Sequence, residues 1–204
     1  MGIKGNCNKF IIKSAHFLLL GLAVSLFFCG KPEKEVRTQA VLLNDRAVEI
    51  RLDKPDSALY LLDQAIQLDP DYYLAYSNKS SVLLQLGQQV KAIEALKNAV
   101  ELKPELAEMV VSLGMLYDYT NKPEKAKAEY QKALQLFTAR IKNTNKHLVE
   151  NKMNRAMVLL LLGDKEQGQK EIDQLLQADP ENELLQMLVQ FDKEEYFKQI
   201  FEGQ

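Results

Sequence analysis

An internal period of 34 residues constrains this chain more than any other feature. Ala58, Ala92 and Ala126 recur at that spacing, as do Ala65, Ala99 and Ala133, and Leu68, Leu102 and Leu136. Leu62, Leu96 and Tyr130 form a fourth column and Ile66, Val100 and Leu134 a fifth, while Pro70 and Pro104 share the same interval. Recurrence over that length marks a stacked array of small supersecondary units. Small residues seven apart, such as Ala92 and Ala99, lie on one helix face and let a neighbouring helix approach. Leu62, Leu96 and Tyr130 then fill the space between the small positions, as alternating large and small side chains do in packed helix pairs. Pro70 and Pro104 close helices that Pro cannot continue. Asp69-Pro70-Asp71 can open the next helix, with acids near its positive end. The unit is helix–turn–helix.

These columns resemble the tetratricopeptide (TPR) family, whose repeat carries W-x2-L-G-x2-Y in its first helix and A-x3-F…P in its second. The third copy fits best, with Val110-x2-Leu113-Gly114-x2-Tyr117 and then Ala126-x3-Tyr130-x2-Ala133. The second reads Tyr76-x2-Lys79-Ser80-x2-Leu83, Leu86-Gly87, Ala92-x3-Leu96-x2-Ala99, ending at Pro104. In the first, Leu43, Ala47 and Ile50 make the inner face only if the turn before Ala58 is one residue shorter than usual. The fourth has Ala156, Leu159, Leu162-Gly163 and Pro180, but Gly168 and Leu175 stand where Ala is expected. The resemblance implies an all-α, TPR-like helix–turn–helix solenoid of about four units over residues 40–180 (40–72, 73–106, 107–140 and 149–182). From Ala126 to Gly168 the interval exceeds one period by eight residues, which places an insertion near 139–148 that either lengthens a helix or forms a surface loop. Beyond Pro180, Leu184, Leu185, Leu188, Phe191, Tyr196, Phe197, Ile200 and Phe201 predict one more amphipathic helix over 183–204, a C-terminal cap of the kind a solenoid needs.

Residues 1–28 have a different composition. Lys4, Lys9 and Lys13 precede an almost wholly apolar run from Ala15 to Phe28. As a helix that run reaches only about 21 Å against roughly 30 Å of hydrocarbon, so it reads as a secretory signal peptide better than as a permanent span. Leu26-Phe27-Phe28-Cys29 resembles the lipobox of bacterial lipoproteins, in which a Leu three residues before a Cys precedes cleavage and lipidation of that Cys; Phe28 departs from its usual small residue. Lipidation at Cys29 would anchor the chain to a membrane, and an uncleaved anchor helix is the alternative. Cleavage would remove three lysines and Cys7, taking the formal charge from −2 to −5. Residues 29–39, charged and without apolar period, read as a tether between lipid and folded domain.

Chemistry is sparse. A slightly negative chain gives no global attraction to nucleic acid. No phosphate-binding Gly-rich loop, nucleophile elbow or zinc-protease motif occurs. Two histidines and two cysteines leave no material for Cys–His catalysis or a His-rich metal site, so neither enzymatic activity nor a cofactor is expected. His147 reads as a solvated loop or helix-end residue, and the acids at Asp69/Asp71 and Asp179/Glu181/Glu183 as helix caps. Of the tyrosines, Tyr76 and Tyr117 fall in core columns.

What remains is a surface. In the TPR family the first helix of each unit lines a groove that commonly holds a peptide or helix from a partner. The resemblance places Leu74, Ser77, Ser81, Leu84 and Gln85 of the second copy in that groove, with Glu108, Val111, Met115, Asp118 and Tyr119 of the third. The fourth adds Glu150, Met153, Met157, Leu160 and Leu161, and the first Val41, Asn44, Val48 and Arg51. Met157, Leu160 and Leu161 either recognise a partner or pack against the C-terminal helix. The set that grips chaperone C-termini is not reproduced: only Asn78 matches, and Glu108 would repel a carboxylate. The chain looks like the small TPR lipoproteins of the bacterial envelope that assist outer-membrane protein or pilus assembly, with an inner-membrane subunit or regulator as the alternative.

Overall fold

The computed structural model describes residues 33–201, and Cys29 and the segment read as a signal peptide lie outside them. Ten helices make up these described residues: α1 (Glu33–Ile50), α2 (Pro55–Leu68), α3 (Tyr73–Gln85), α4 (Gln89–Leu102), α5 (Ala107–Tyr119), α6 (Pro123–Asn143), α7 (Leu148–Leu161), α8 (Lys165–Ala178), α9 (Glu183–Val189) and α10 (Lys193–Phe201). The first eight pair as antiparallel hairpins, α1 with α2 through α7 with α8, and each hairpin stacks on the next.

The repeat columns are the interior. Ala58, Leu62 and Ala65 on α2, Ala92, Leu96 and Ala99 on α4, and Ala126, Tyr130 and Ala133 on α6 are all buried. Their partners on the first helices form a column of small residues, Ala47, Ser80, Gly114 and Ala156. A Cβ on Gly114 would lie 2.6 Å from the Tyr130 ring, so glycine there is what admits a tyrosine where the second unit has Leu96. The same exchange runs in reverse at Gly168, whose missing side chain makes room for Leu160, 2.8 Å from where its Cβ would stand. Ala47 to Ala58 is one residue less than Ser80 to Ala92, but the turn itself is not shortened: residues 51–54 join α1 to α2 where 86–88 join α3 to α4, and α1 instead ends earlier beyond its small residue.

The turns inside units two, three and four close identically. Gly87, Asn121 and Gly163 take left-handed φ of 69°, 57° and 85°. The N–H of the following residue then reaches a carbonyl five residues back, as in Gln88 to Leu83 (2.8 Å), Lys122 to Tyr117 (2.8 Å) and Asp164 to Leu159 (2.9 Å). This closure satisfies helix-end carbonyls and favours Gly, with Asn the next best tolerated. Pro55 and Pro123 open α2 and α6, where a missing N–H costs nothing.

Three expectations need correction and a fourth is resolved. Residues 33–39 are the first turns of α1, not tether: Ala40, Asn44 and Ala47 anchor that helix, and Lys, Glu and Arg extend it outward at little cost. The insertion does both things foreseen for it, lengthening α6 to 21 residues and then forming the loop 144–147 before α7. The C-terminal segment is two helices rather than one, broken at 190–192, where the Asp192 carboxylate accepts the Glu195 N–H (2.9 Å) and starts α10. The acids at 69–71 do not cap α3: Asp69 accepts the Asp71 N–H within the turn (3.2 Å), while the side-chain caps are Asp164 on α8, Asn182 on α9 and Asp192 on α10.

Candidate functional site

The first helices of the hairpins present one face to a groove, and α10 lies in part of it. The chain leaves α8, packs α9 against it, and turns back so that α10 sits on α5, the first helix of unit three. Lys193 pairs with Asp118, and the Tyr130 hydroxyl donates to the same carboxylate (3.3 Å). Burial, followed by the Asp118 charge and hydrogen bond, pushes the Tyr130 phenol far above its ordinary value, so it stays a donor at any physiological pH. Phe197 is buried with Leu161, Tyr117 and Phe137 in the largest core cluster. Phe201 stacks on Tyr119, ring centroids 4.3 Å apart and planes 18° from parallel.

Beyond Phe201 the groove is open. A cleft of about 430 Å³ runs between α3 and α5, lined by Ser77, Ser81, Leu84, Gln85, Ser112, Met115 and Tyr119, with Ile200 and Phe201 at its edge. Ser80 also lines it, 2% exposed, and its hydroxyl has no hydrogen-bond partner. Upstream the α1–α3 wall is tied by Asn78, which donates to the Asn44 side-chain oxygen Oδ1 (2.7 Å), and by Gln85, which donates to the Leu52 main-chain carbonyl (3.4 Å).

The residues expected in one groove are therefore dispersed. Ser77, Ser81, Leu84, Gln85, Met115 and Tyr119 share the open cleft; Leu74 is exposed outside it, and Val111 is half-buried against the core. Asp118 lies beneath Lys193. Met153 and Met157 line a second cleft of about 430 Å³ with Leu184, Met187, Phe191 and Tyr196 of the C-terminal segment. Of the three residues read two ways, Leu160 is buried with α8 and α9 residues and Leu161 with the main core, so both pack, while Met157 lines the second cleft. Glu108 and Glu150 flank a polar recess made by the insertion, with Arg140, Thr144, Lys146, His147 and Asn151. His147 is exposed at the head of α7 with a left-handed φ of 53°, its Nδ1 3.2 Å from Glu150.

Two groups of residues escaped the sequence reading. Arg140 holds Glu108 through one guanidinium nitrogen (2.5 Å) and the Glu105 carbonyl through another (3.3 Å). Glu108 is thus neutralised, and its repulsion of a carboxylate no longer argues against a carboxylate grip; the absence of a cation at Asn44 and Ser112, where that grip has Lys and Arg, still does. The second group is Lys193, Phe197 and Phe201, a basic–aromatic–aromatic stripe visible in the sequence as every fourth residue. Among the described residues no helix is long and apolar enough to cross a membrane, and no three His, Cys, Asp or Glu side chains gather as a metal site.

The tetratricopeptide-repeat family model matches residues 73–106 and 107–138, the units built from α3 to α6. Residues 73–138 are tetratricopeptide repeats. The fold of the chain resembles that of YrrB, a TPR protein with an unusual peptide-binding site, at a TM-score of 0.51 and 17% identity over 84% of this chain and 82% of that one. It also resembles MamA, at a TM-score of 0.50 and 19% identity over 72% of this chain and 85% of that one. Among curated relatives, a Dictyostelium discoideum protein named STIP1 homolog is 46% identical over 50 residues, 24% of this chain and 9% of its own length. The chain spans a fifth or less of the curated relatives it matches. What they share with it is the repeat.

Proposed function

We propose that this chain is a protein-binding scaffold of the bacterial envelope, held to a membrane (the outer one by preference) through lipid on Cys29, with a non-catalytic groove that takes a peptide or helix from another protein. The observation that carries the reading is the open cleft between α3 and α5, where serine and glutamine side chains alternate with Leu84, Met115 and Tyr119. A few polar groups set among apolar surface suit an extended or helical peptide, which needs both buried area and backbone partners. The peptide-binding site of YrrB supports the same kind of ligand. Leu26–Cys29 and the short apolar run before it support the anchor.

Two measurements test this. Mass spectrometry of membrane-extracted protein should find an acylated chain beginning at Cys29, with maturation blocked in Cys29→Ala. An intact chain starting at Met1 and still membrane-bound after that change would replace the lipid by an uncleaved helix. A photo-crosslinking residue at Ser81 should capture a defined protein partner, and the same residue at the exposed Lys97 on α4 should not. Equal capture at both positions would move the site off the groove.

A further inference from the structure

α10 differs from every other helix in how it is held. It has nine residues, and a helix that short is marginal in water without tertiary support. Its support comes from one face. Lys193, Phe197 and Phe201 stand one turn apart, and each meets a separate feature of the groove: the Asp118 carboxylate, the apolar floor around Leu161, and the Tyr119 ring. Of its nine residues only Phe197 is buried, and Ile200 beside the open cleft is 39% exposed. Repeat helices bury small residues against a hairpin partner; α10 instead buries anchors in pre-formed positions, as a bound peptide does.

The receiving surface is built independently of it. Asp118 and Tyr119 belong to α5, and the Tyr130 hydroxyl fixes the Asp118 carboxylate from α6. A carboxylate with an aromatic face beyond it and an apolar floor between them fits a helix carrying a cation, then an aromatic four residues on, then another four residues further. The cleft continues past Phe201 toward Ser77 and Gln85, so a longer helix would find further surface there, with the buried Ser80 hydroxyl still lacking a partner.

We propose that α10 occupies in cis the recognition site for a partner helix of the pattern basic-x3-aromatic-x3-aromatic, and that such a helix binds by displacing α10. The inference rests on the groove reading above and names its partner class. A tethered occupant competes at a high effective concentration, so the intact chain binds such a helix weakly and loosening α10 strengthens binding.

The test uses the full chain and, as probe, a fluorescein-labelled synthetic peptide with the sequence of residues 190–204, followed by anisotropy. Phe201→Ala, a change at the half-buried end of α10, should raise affinity for this peptide at least ten-fold over the unaltered chain. Adding Asp118→Asn to Phe201→Ala should reverse that gain, and a peptide with Lys193 replaced by Glu should not bind. Circular dichroism confirms that each variant keeps its helices; should Phe201→Ala lose them, Lys193→Gln serves as the loosened chain. Equal affinity of folded unaltered and loosened chains overturns the proposal. If Ser81 still captures a partner in that case, the groove reading stands and only the role given to α10 falls. A concentration-dependent dimer that disappears in the loosened chain would seat α10 of a second copy in the groove and overturn the partner assigned here.

Discussion

Units two and three present the same register positions to the groove and put them to opposite uses. Ser81, Leu84 and Gln85 on α3 correspond to Met115, Asp118 and Tyr119 on α5. The α3 set faces an open cleft, whereas Asp118 and Tyr119 lie under α10. The backbones are alike, since the same glycine-type turns and alanine columns build both hairpins. Asp118 and Tyr119 receive α10, while Met115 stays in the cleft with the α3 set. The scaffold fixes where a side chain points, and the side chain then fixes what it holds.

The comparison can be broken most severely in the scaffold itself. Gly114→Ser would give unit three the small residue of unit two, but against Tyr130 rather than Leu96. It should cost about 3 kcal/mol in denaturant melts, and Tyr130→Leu in the same chain should recover much of it. No recovery would mean that the Gly114–Tyr130 exchange is not what separates the two hairpins.

A smaller effect sharpens the side-chain half of the argument. Converting unit three toward unit two with Asp118→Leu and Tyr119→Gln should release α10, seen as fast hydrogen exchange over residues 193–201. The array should lose about 2 kcal/mol while staying folded. Persisting protection of α10 would show that Phe197 alone holds it.

Alkaline pH probes the same locus. Burial raises the phenols of Tyr130, Tyr117, Tyr72 and Tyr196 above their ordinary value. In the unfolded chain they lose protons near pH 10 while the folded chain keeps them, so their contribution is intact below about pH 10 and is lost as pH rises beyond it. The melting temperature should fall above pH 10, and less steeply in Tyr130→Phe. Parallel curves would remove Tyr130 as the main alkaline liability. The smallest change expected is Ser80→Ala, which removes an unpartnered buried hydroxyl and should be neutral or stabilising by up to about 1 kcal/mol. A loss of 2 kcal/mol there would reveal a hydrogen bond to Ser80.

The fold was largely legible because a repeat writes its packing several times over. Ala92 and Ala126 identify each other as helix contacts, and Gly168, out of pattern, is accounted for by Leu160. Asn121, one period after Gly87, does the work of that glycine, and its left-handed backbone angle shows it. The site was half legible. Register placed Ser81, Gln85, Met115 and Tyr119 along one cleft, but an amphipathic stripe says that a helix will bury a face and not which surface it will bury it against. Lys193, Phe197 and Phe201 occur once, outside the period, so nothing in the sequence paired them with Asp118 and Tyr119. Arg140 was hidden for a similar reason, since the helical extension that aims it at Glu108 lies within the inserted residues.

The return of α10 to α5 also changes how the array comes apart. A solenoid held only by neighbours can fray from either end, one hairpin after another. Here the last segment is tied past α7 and α8 to unit three, and Phe197 and Leu161 share one core cluster with α4, α5 and α6. Opening at this end must first detach α10, and the third and fourth hairpins then loosen together. The first hairpin has no such tie, and its interior is a separate cluster of small residues around Leu62 and Tyr72. Unfolding thus has a direction, beginning at the α1–α2 hairpin and reaching the groove last.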